Sequence, residues 1–92
     1  MNSKTPPTVV HCKRDKFDLY IGRPSKWGNP FVIGKDGTRD DVIAKYRQWI
    51  LTQQNLLNDL HELEGKRIAC YCSPKACHGD VLADLFNSFA IK

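Results

Sequence analysis

The chain reads as an α/β domain: a small, Rossmann-like single unit with a mainly parallel sheet of three or slightly more strands and about three helices. Three observations predict this. Short apolar and β-branched runs at TVVHC (8–12), LYIG (19–22) and KRIACYC (66–72) have strand character. Apolar residues recur at helical spacing over 42–50, 56–63 and 81–89. The run at 66–72 then passes through a short turn into the last helical stretch with no hairpin signal, which favours parallel pairing.

Taken in order, residues 1–7 form a loose arm ending in Pro6-Pro7, and residues 8–92 form one domain. The first strand is followed by a charged turn, KRDKFD, and Gly22 stops the second. RPSKWGNPFVIGKDGT (23–38) comes next, with two Pro, three Gly and an Asn; loops this long in small domains are usually functional. TRDD (38–41) has the form of a capping box opening a helix whose stripe is Val42, Ile43, Tyr46, Trp49 and Ile50. Leu56, Leu57, Leu60 and Leu63 make a second stripe ended by Gly65. In the last helix Val81, Leu82, Leu85, Phe86 and Phe89 share the inward face.

Hydrophobic residues make up 41% of the chain and charged residues 26%, ordinary for a soluble globular protein. Two Trp, three Tyr and four Phe give the core bulk, so disulfides are not required for folding. MNSKTPPT lacks the apolar stretch of a signal peptide and no segment reads as membrane-spanning. The expectation is a cytoplasmic protein without a membrane partner, whose four Cys are thiols or ligands rather than disulfides. The formal charge of +4 favours anionic partners. Its Lys and Arg are scattered and no interleaved basic and aromatic platform is visible, so nucleic acid is less favoured than a small anion. The sequence does not fix an oligomeric state.

CYCSPKACHGD (70–80) places three Cys, a His and an Asp within eleven positions. On a strand, Cys70 and Cys72 project to one face. Pro74 bends the chain, and Cys77, His78 and Asp80 open the last helix, where unpaired amides and the macrodipole favour negative charge. A thiolate would be stabilised there, with Lys75 close by. Cys72, Cys77 and His78 are therefore the candidate catalytic residues, as nucleophile and acid/base. A zinc site would use Cys70, Cys72, Cys77 and His78, with His11 and Cys12 as substitutes. The spacing is unlike the usual zinc knuckles, so no cofactor is favoured. Ordinary packing competes with both: Cys70 as a buried small apolar residue, Asp80 as an N-cap.

The loop GRPSKWGNPF (22–31) carries other chemistry. Gly22 and Gly28 allow close backbone approach, Arg23 suits a bidentate anion contact, and Ser25 and Asn29 offer hydrogen bonds. Trp27 is either a stacking platform or a core residue, and Phe31 and Val32 are most simply core. Both unusual loops follow strands, and in parallel sheets ligands sit beyond the strands' carboxyl ends.

YIGRPSKWGNPF together with CYCSPKACHGDVLADL resembles the domain-of-unknown-function family 4326, small proteins of bacteria and their phages. The resemblance spans about Val9 to Phe89 and rests on Gly22, Arg23, Gly28, Asn29, Pro30 and Phe31, then on Cys70, Cys72, Pro74, Cys77, His78, Gly79 and Asp80. It implies an α/β fold and one site built from both loops, and it passes on no reaction.

The functional expectation is a domain that binds an anionic, nucleotide-derived small molecule and sequesters or processes it. Its ligand-binding residues would be Arg23, Ser25, Trp27, Gly28, Asn29, His78, Gly79 and Asp80. Arg23 takes the anion, amides near Gly79 add positive potential, and Asp80 both caps the helix and holds the Arg23 guanidinium. The alternatives are a cysteine/histidine-dependent enzyme acting on a nucleotide or nucleoside derivative, and a zinc-stabilised module for nucleic acid or protein.

Overall fold

The computed structural model describes residues 5–71, 75 and 77–90, the side chains of Phe89 and Ala90 excepted. Cys72 and Pro74, both singled out above, lie outside the described residues, as does the side chain of Phe89.

Three short strands, β1 (Thr8–His11), β2 (Leu19–Tyr20) and β3 (Arg67–Cys70), form a sheet in the order β1-β3-β2. Both pairings are parallel, with Val9 and Leu19 flanking Ile68 and with Val10 and Tyr20 flanking Ala69. The last strand in sequence is therefore the central one. It is also the most buried of the three, with Ile68, Ala69 and Cys70 almost wholly shielded from solvent. Residues 12–18 carry the chain from one side of β3 to the other without a helix, so this connection is not a βαβ crossover. They are fixed at both ends on β3: the Cys12 amide donates to the Cys70 carbonyl (3.0 Å) and the Asp18 amide to that of Arg67 (2.9 Å). The Asp18 carboxylate also accepts from the Arg67 amide at 2.9 Å.

Helix α1 (Arg39–Ile50) begins at the expected capping box, with the Thr38 hydroxyl accepting from the Asp41 amide and the Asp41 carboxylate from the Thr38 amide. Of its stripe, Val42, Tyr46 and Ile50 are buried, while Ile43 and Trp49 are half-buried beside them. The leucine stripe is divided between a short helix α2 (Gln54–Asn58) and a 3-10 turn (Leu60–Leu63). Asn58 and Asp59 are weak helix formers, and the Asn58 carbonyl is taken by His61 Nδ1 at 2.9 Å. Leu56, Leu60 and Leu63 nevertheless stay buried, and Gly65 ends the turn at a φ of +67°.

Helix α3 (His78–Ala90) lies against β1, β3, α1 and the 3-10 turn. Its Val81, Leu82, Leu85 and Phe86 join Ile21, Trp27, Tyr46, Ile50, Leu63 and Ile68 in one core. The contact is close at the helix start, where a Cβ on Gly79 would stand 3.0 Å from Ile21 Cδ1 and 3.1 Å from Val9 Cγ1. No helix among the described residues is long and apolar enough to cross a membrane.

Ile68, in the middle of the central strand, is 0% exposed. Ile68→Ala is expected to cost about 2–5 kcal/mol, the range for emptying a buried aliphatic site. Urea unfolding checks this: the midpoint should fall with the slope unchanged.

Candidate functional site

All three strands point the same way, so the segments that follow them emerge at one end of the sheet. After β2 the chain turns tightly. The Ser25 amide donates to the Gly22 carbonyl and the Gly28 amide to that of Ser25, both at 2.9 Å. Ser25 Oγ accepts from the Trp27 amide at 3.1 Å, and the Arg23–Pro24 bond is cis. A Cβ on Gly28 would sit 3.1 Å from both N and Cα of Arg23, so a glycine there lets the loop fold back on Arg23. Ser25 and Gly28 thus shape the loop that presents Arg23.

Trp27 is a core residue. It is 1% exposed and its carbonyl accepts from the Tyr46 hydroxyl at 2.7 Å. The stacking alternative is therefore corrected: the indole follows the loop inward because its large apolar surface closes the space beside Tyr46. Asn29 is also committed to the scaffold. Its Nδ2 donates to the Val42 carbonyl (3.2 Å) and its Oδ1 accepts from the Phe31 amide (2.9 Å), pinning the loop to α1.

The start of α3 is capped by sulfur. Cys77 occupies the N-cap position, and its Sγ accepts from the Gly79 amide at 3.3 Å. The Asp80 carboxylate reaches back to the Cys77 amide at 3.1 Å. Asp80 is therefore the third helical residue of a capping box rather than the N-cap. Two expectations change with it. Among the described residues Asp80 makes no ion pair with Arg23, because its carboxylate is turned to the Cys77 amide. The Gly79 amide is occupied by Cys77 instead of facing a ligand.

Cys77 Sγ also lies 3.0 Å from Cys70 Sγ, with both residues buried. The hydrogen bond with Cys70 and burial push the Cys77 thiol up, far outweighing the Gly79 amide that pulls it down. The thiolate expected from the helix terminus is thus disfavoured at this residue. Cys70 and Cys77 pair with each other, and among the described residues no group of three His, Cys, Asp or Glu side chains is placed to hold a metal ion.

His78 Nε2 lies 2.8 Å from the Ile21 carbonyl. A carbonyl only accepts, so Nε2 carries the proton and the neutral ring keeps an acceptor at Nδ1. The ring meets Tyr46 edge-on at 5.0 Å between centroids. Burial lowers the His78 pKa; the Ile21 carbonyl opposes this, while the nearby positive charge of Arg23 adds to the depression.

These elements enclose a cavity of ≈ 340 Å³. Gly22, Arg23, Asn29 and Phe31 line it from the first loop, and Cys70, Tyr71, Cys77 and His78 from the second. Arg23 and His78, far apart in sequence, share this one cavity. Ser25, Trp27, Gly28, Gly79 and Asp80 are not among its lining residues. Ile33, Val42 and Ile43 complete the lining, together with three residues that the sequence does not place in the site: Tyr20 at the end of β2, Tyr71 just beyond β3, and Arg39 at the first position of α1. Each of these three follows from topology, since β2 and β3 end side by side and the capping box points the start of α1 at the same place. Among the described residues Arg23 has no carboxylate partner, whereas Lys26 pairs with Asp59 and Glu62, Arg47 with Asp84, and Arg67 with Asp18.

The model of the family called Domain of unknown function (DUF4326) matches residues 9–88, from β1 nearly to the end of α3. The chain belongs to this family. The DUF4326 domain is 35% identical to the Uncharacterized protein R718 of Acanthamoeba polyphaga mimivirus, over 90% of this chain and 82% of that protein. It is 34% identical to the Uncharacterized 12.4 kDa protein in nrdA-td intergenic region of Enterobacteria phage T4, over 86% of this chain and 76% of that protein. No solved structure matches it significantly.

Two predictions rest on this geometry. The folded state holds the His78 pKa below the unfolded value of about 6.5, so the unfolded chain binds more protons as acid is added. The His78 contribution to stability is therefore complete above about pH 6.5 and is lost as pH falls toward the folded value. Urea midpoints measured from pH 7 down to pH 5 should drop more steeply in the wild type than in His78→Gln, which keeps a donor. Equal slopes would contradict the assignment. Iodoacetamide labelling near pH 8 followed by peptide mapping should modify half-buried Cys12 while sparing Cys77 until the fold is opened.

Proposed function

We propose that this DUF4326 domain binds an anionic, nucleotide-derived small molecule in the cavity between the 22–31 loop and the start of α3. The observation that carries the reading is Arg23: a guanidinium at a cavity wall with no carboxylate partner among the described residues, beside a neutral histidine. A guanidinium so placed suits a phosphate, which it can meet through two parallel hydrogen bonds. Arg39 on the opposite element adds a second cation to the wall. Tyr20, Phe31 and Tyr71 supply aromatic surface suited to a base or a ribose, and His78 Nδ1 supplies an acceptor for a base N–H. The volume is in the roughly 300–1,000 Å³ range of small-molecule sites.

Acting in the cytoplasm, such a domain sequesters its ligand or passes it on for processing. The raised Cys77 thiol favours binding over nucleophilic chemistry at that residue. The test is thermal shift followed by titration calorimetry with AMP, UMP, ADP, ADP-ribose and a dinucleoside monophosphate. At a hundredfold excess over its dissociation constant, a true ligand should add about 2.7 kcal/mol of stability. Arg23→Ala should abolish that shift while changing the stability of the free protein by no more than about 0.5 kcal/mol. Absence of a shift with every compound of the panel would reject the reading.

A further inference from the structure

The exposed side of the cavity mouth carries four aromatic rings in an unbroken row. Phe17 stands 6.5 Å from Tyr20, Tyr20 stands 6.1 Å from Tyr71, and Tyr71 stands 6.2 Å from His11, measured between ring centroids. The rings come from four separate places in the chain: the 12–18 connection, β2, the residue after β3, and the end of β1. Parallel pairing brings them together, which is why no such platform is visible in the linear sequence.

This row differs from a core cluster. Tyr71 is 59% exposed and Phe17 is 42% exposed, whereas isolated surface aromatics would not form a continuous row. Its outer end is basic. Lys13, Arg14 and Lys16 lie in the segment that carries Phe17, and all three are exposed. The segment also holds two acids: the Asp15 carboxylate is turned to the His11 amide at 3.1 Å and that of Asp18 to the Arg67 amide at 2.9 Å. Lys13 and Lys16 make no ion pair among the described residues. The middle of the row borders the cavity itself, since Tyr20 and Tyr71 are two of its walls.

Tyr71 meets both Tyr20 and His11 edge to face, and Phe17 is tilted by 48° to Tyr20, so the exposed rings offer separate surfaces rather than one flat face. Exposed rings beside exposed cations suit a single-stranded polynucleotide: bases stack on the rings while cations meet the phosphates. We infer that the domain binds single-stranded nucleic acid, with one nucleotide in the Arg23 cavity and its neighbours stacked along Tyr71, Tyr20 and Phe17. The inference rests on the nucleotide reading of the cavity and names the molecule to which that nucleotide belongs. Recognition would be tolerant of sequence, because every base offers a π-face.

The experiment uses the full chain, fluorescence anisotropy with fluorescein-labelled ten-nucleotide strands of adenine and of thymine or uracil, and calorimetry with the matching mononucleotides. A strand should bind at least tenfold more tightly than its mononucleotide. Phe17 is outside the cavity lining, so Phe17→Ala should weaken the strand about tenfold, the scale of one lost stacking contact, and leave the mononucleotide unchanged. Phe17→Leu, which keeps apolar bulk without a ring, should show the same loss and guards against a folding defect. Arg23→Ala should weaken both ligands.

Strands that bind no better than mononucleotides overturn the inference and leave the cavity reading standing. Strand binding indifferent to both Phe17 variants overturns the aromatic row. Self-association removed by Phe17→Ala, with no strand bound, assigns the row to a second copy of the chain and likewise overturns it. Binding of neither strand nor mononucleotide removes both readings together.

Discussion

The hydrogen bond between His78 Nε2 and the Ile21 carbonyl joins the two halves of the site. Ile21 is the first residue past β2, and its amide is already tied to the Ala69 carbonyl of β3 at 2.9 Å. The same residue thus continues the sheet on one side and accepts the first side chain of α3 on the other. Without that contact, the turn that carries Arg23 and the helix that carries His78 would be held near each other only by apolar packing, which has little directional preference. Losing the donor would also leave a buried carbonyl unsatisfied, a cost of about 1–3 kcal/mol in this kind of setting.

Around this link the polar groups of the site divide by role. Ser25 and Asn29 spend their hydrogen-bonding capacity on backbone groups and hold the first loop in shape, while Asp80 and Cys77, the latter also paired with Cys70, tie the start of α3. Trp27 and Tyr46 form the floor beneath them, joined by the bond from the Tyr46 hydroxyl. Arg23 is left unpaired among the described residues, at a wall where its charge bears on the His78 ring. A first loop pinned by these hydrogen bonds and carrying an uncommitted cation suits recognition of an anion, since less ordering remains to oppose binding.

Much of this was legible in the sequence, for identifiable reasons. Element order follows from period: the stripe Val42, Tyr46, Ile50 and the box at Thr38–Asp41 have direct local causes. The meeting of Arg23 with His78 follows from parallel strands and needs no contact information. The roles of Cys77 and Asp80 were harder to read, because either residue can cap a helix and only the helix start decides which one does. Cys77 as a thiolate failed for a different reason. The helix terminus acts locally, but the Cys70 sulfur arrives from β3 and, together with burial, reverses its effect. The aromatic row was hidden altogether, since His11, Phe17, Tyr20 and Tyr71 are spread over 61 positions of the chain.

The central claim is that two distant loops make one ligand site beyond the carboxyl ends of the strands. A nitrogen-15 NMR titration of the labelled protein with AMP, UMP and ADP-ribose tests it most directly. The account predicts shift changes concentrated at the amides of Gly22, Arg23, Arg39, Tyr71 and His78, and at Arg23 Nε. Changes confined to the shallow hollow on the outer side of α1, at Ala44, Gln48 and Thr52, would contradict it, as would spectra unmoved by all three compounds.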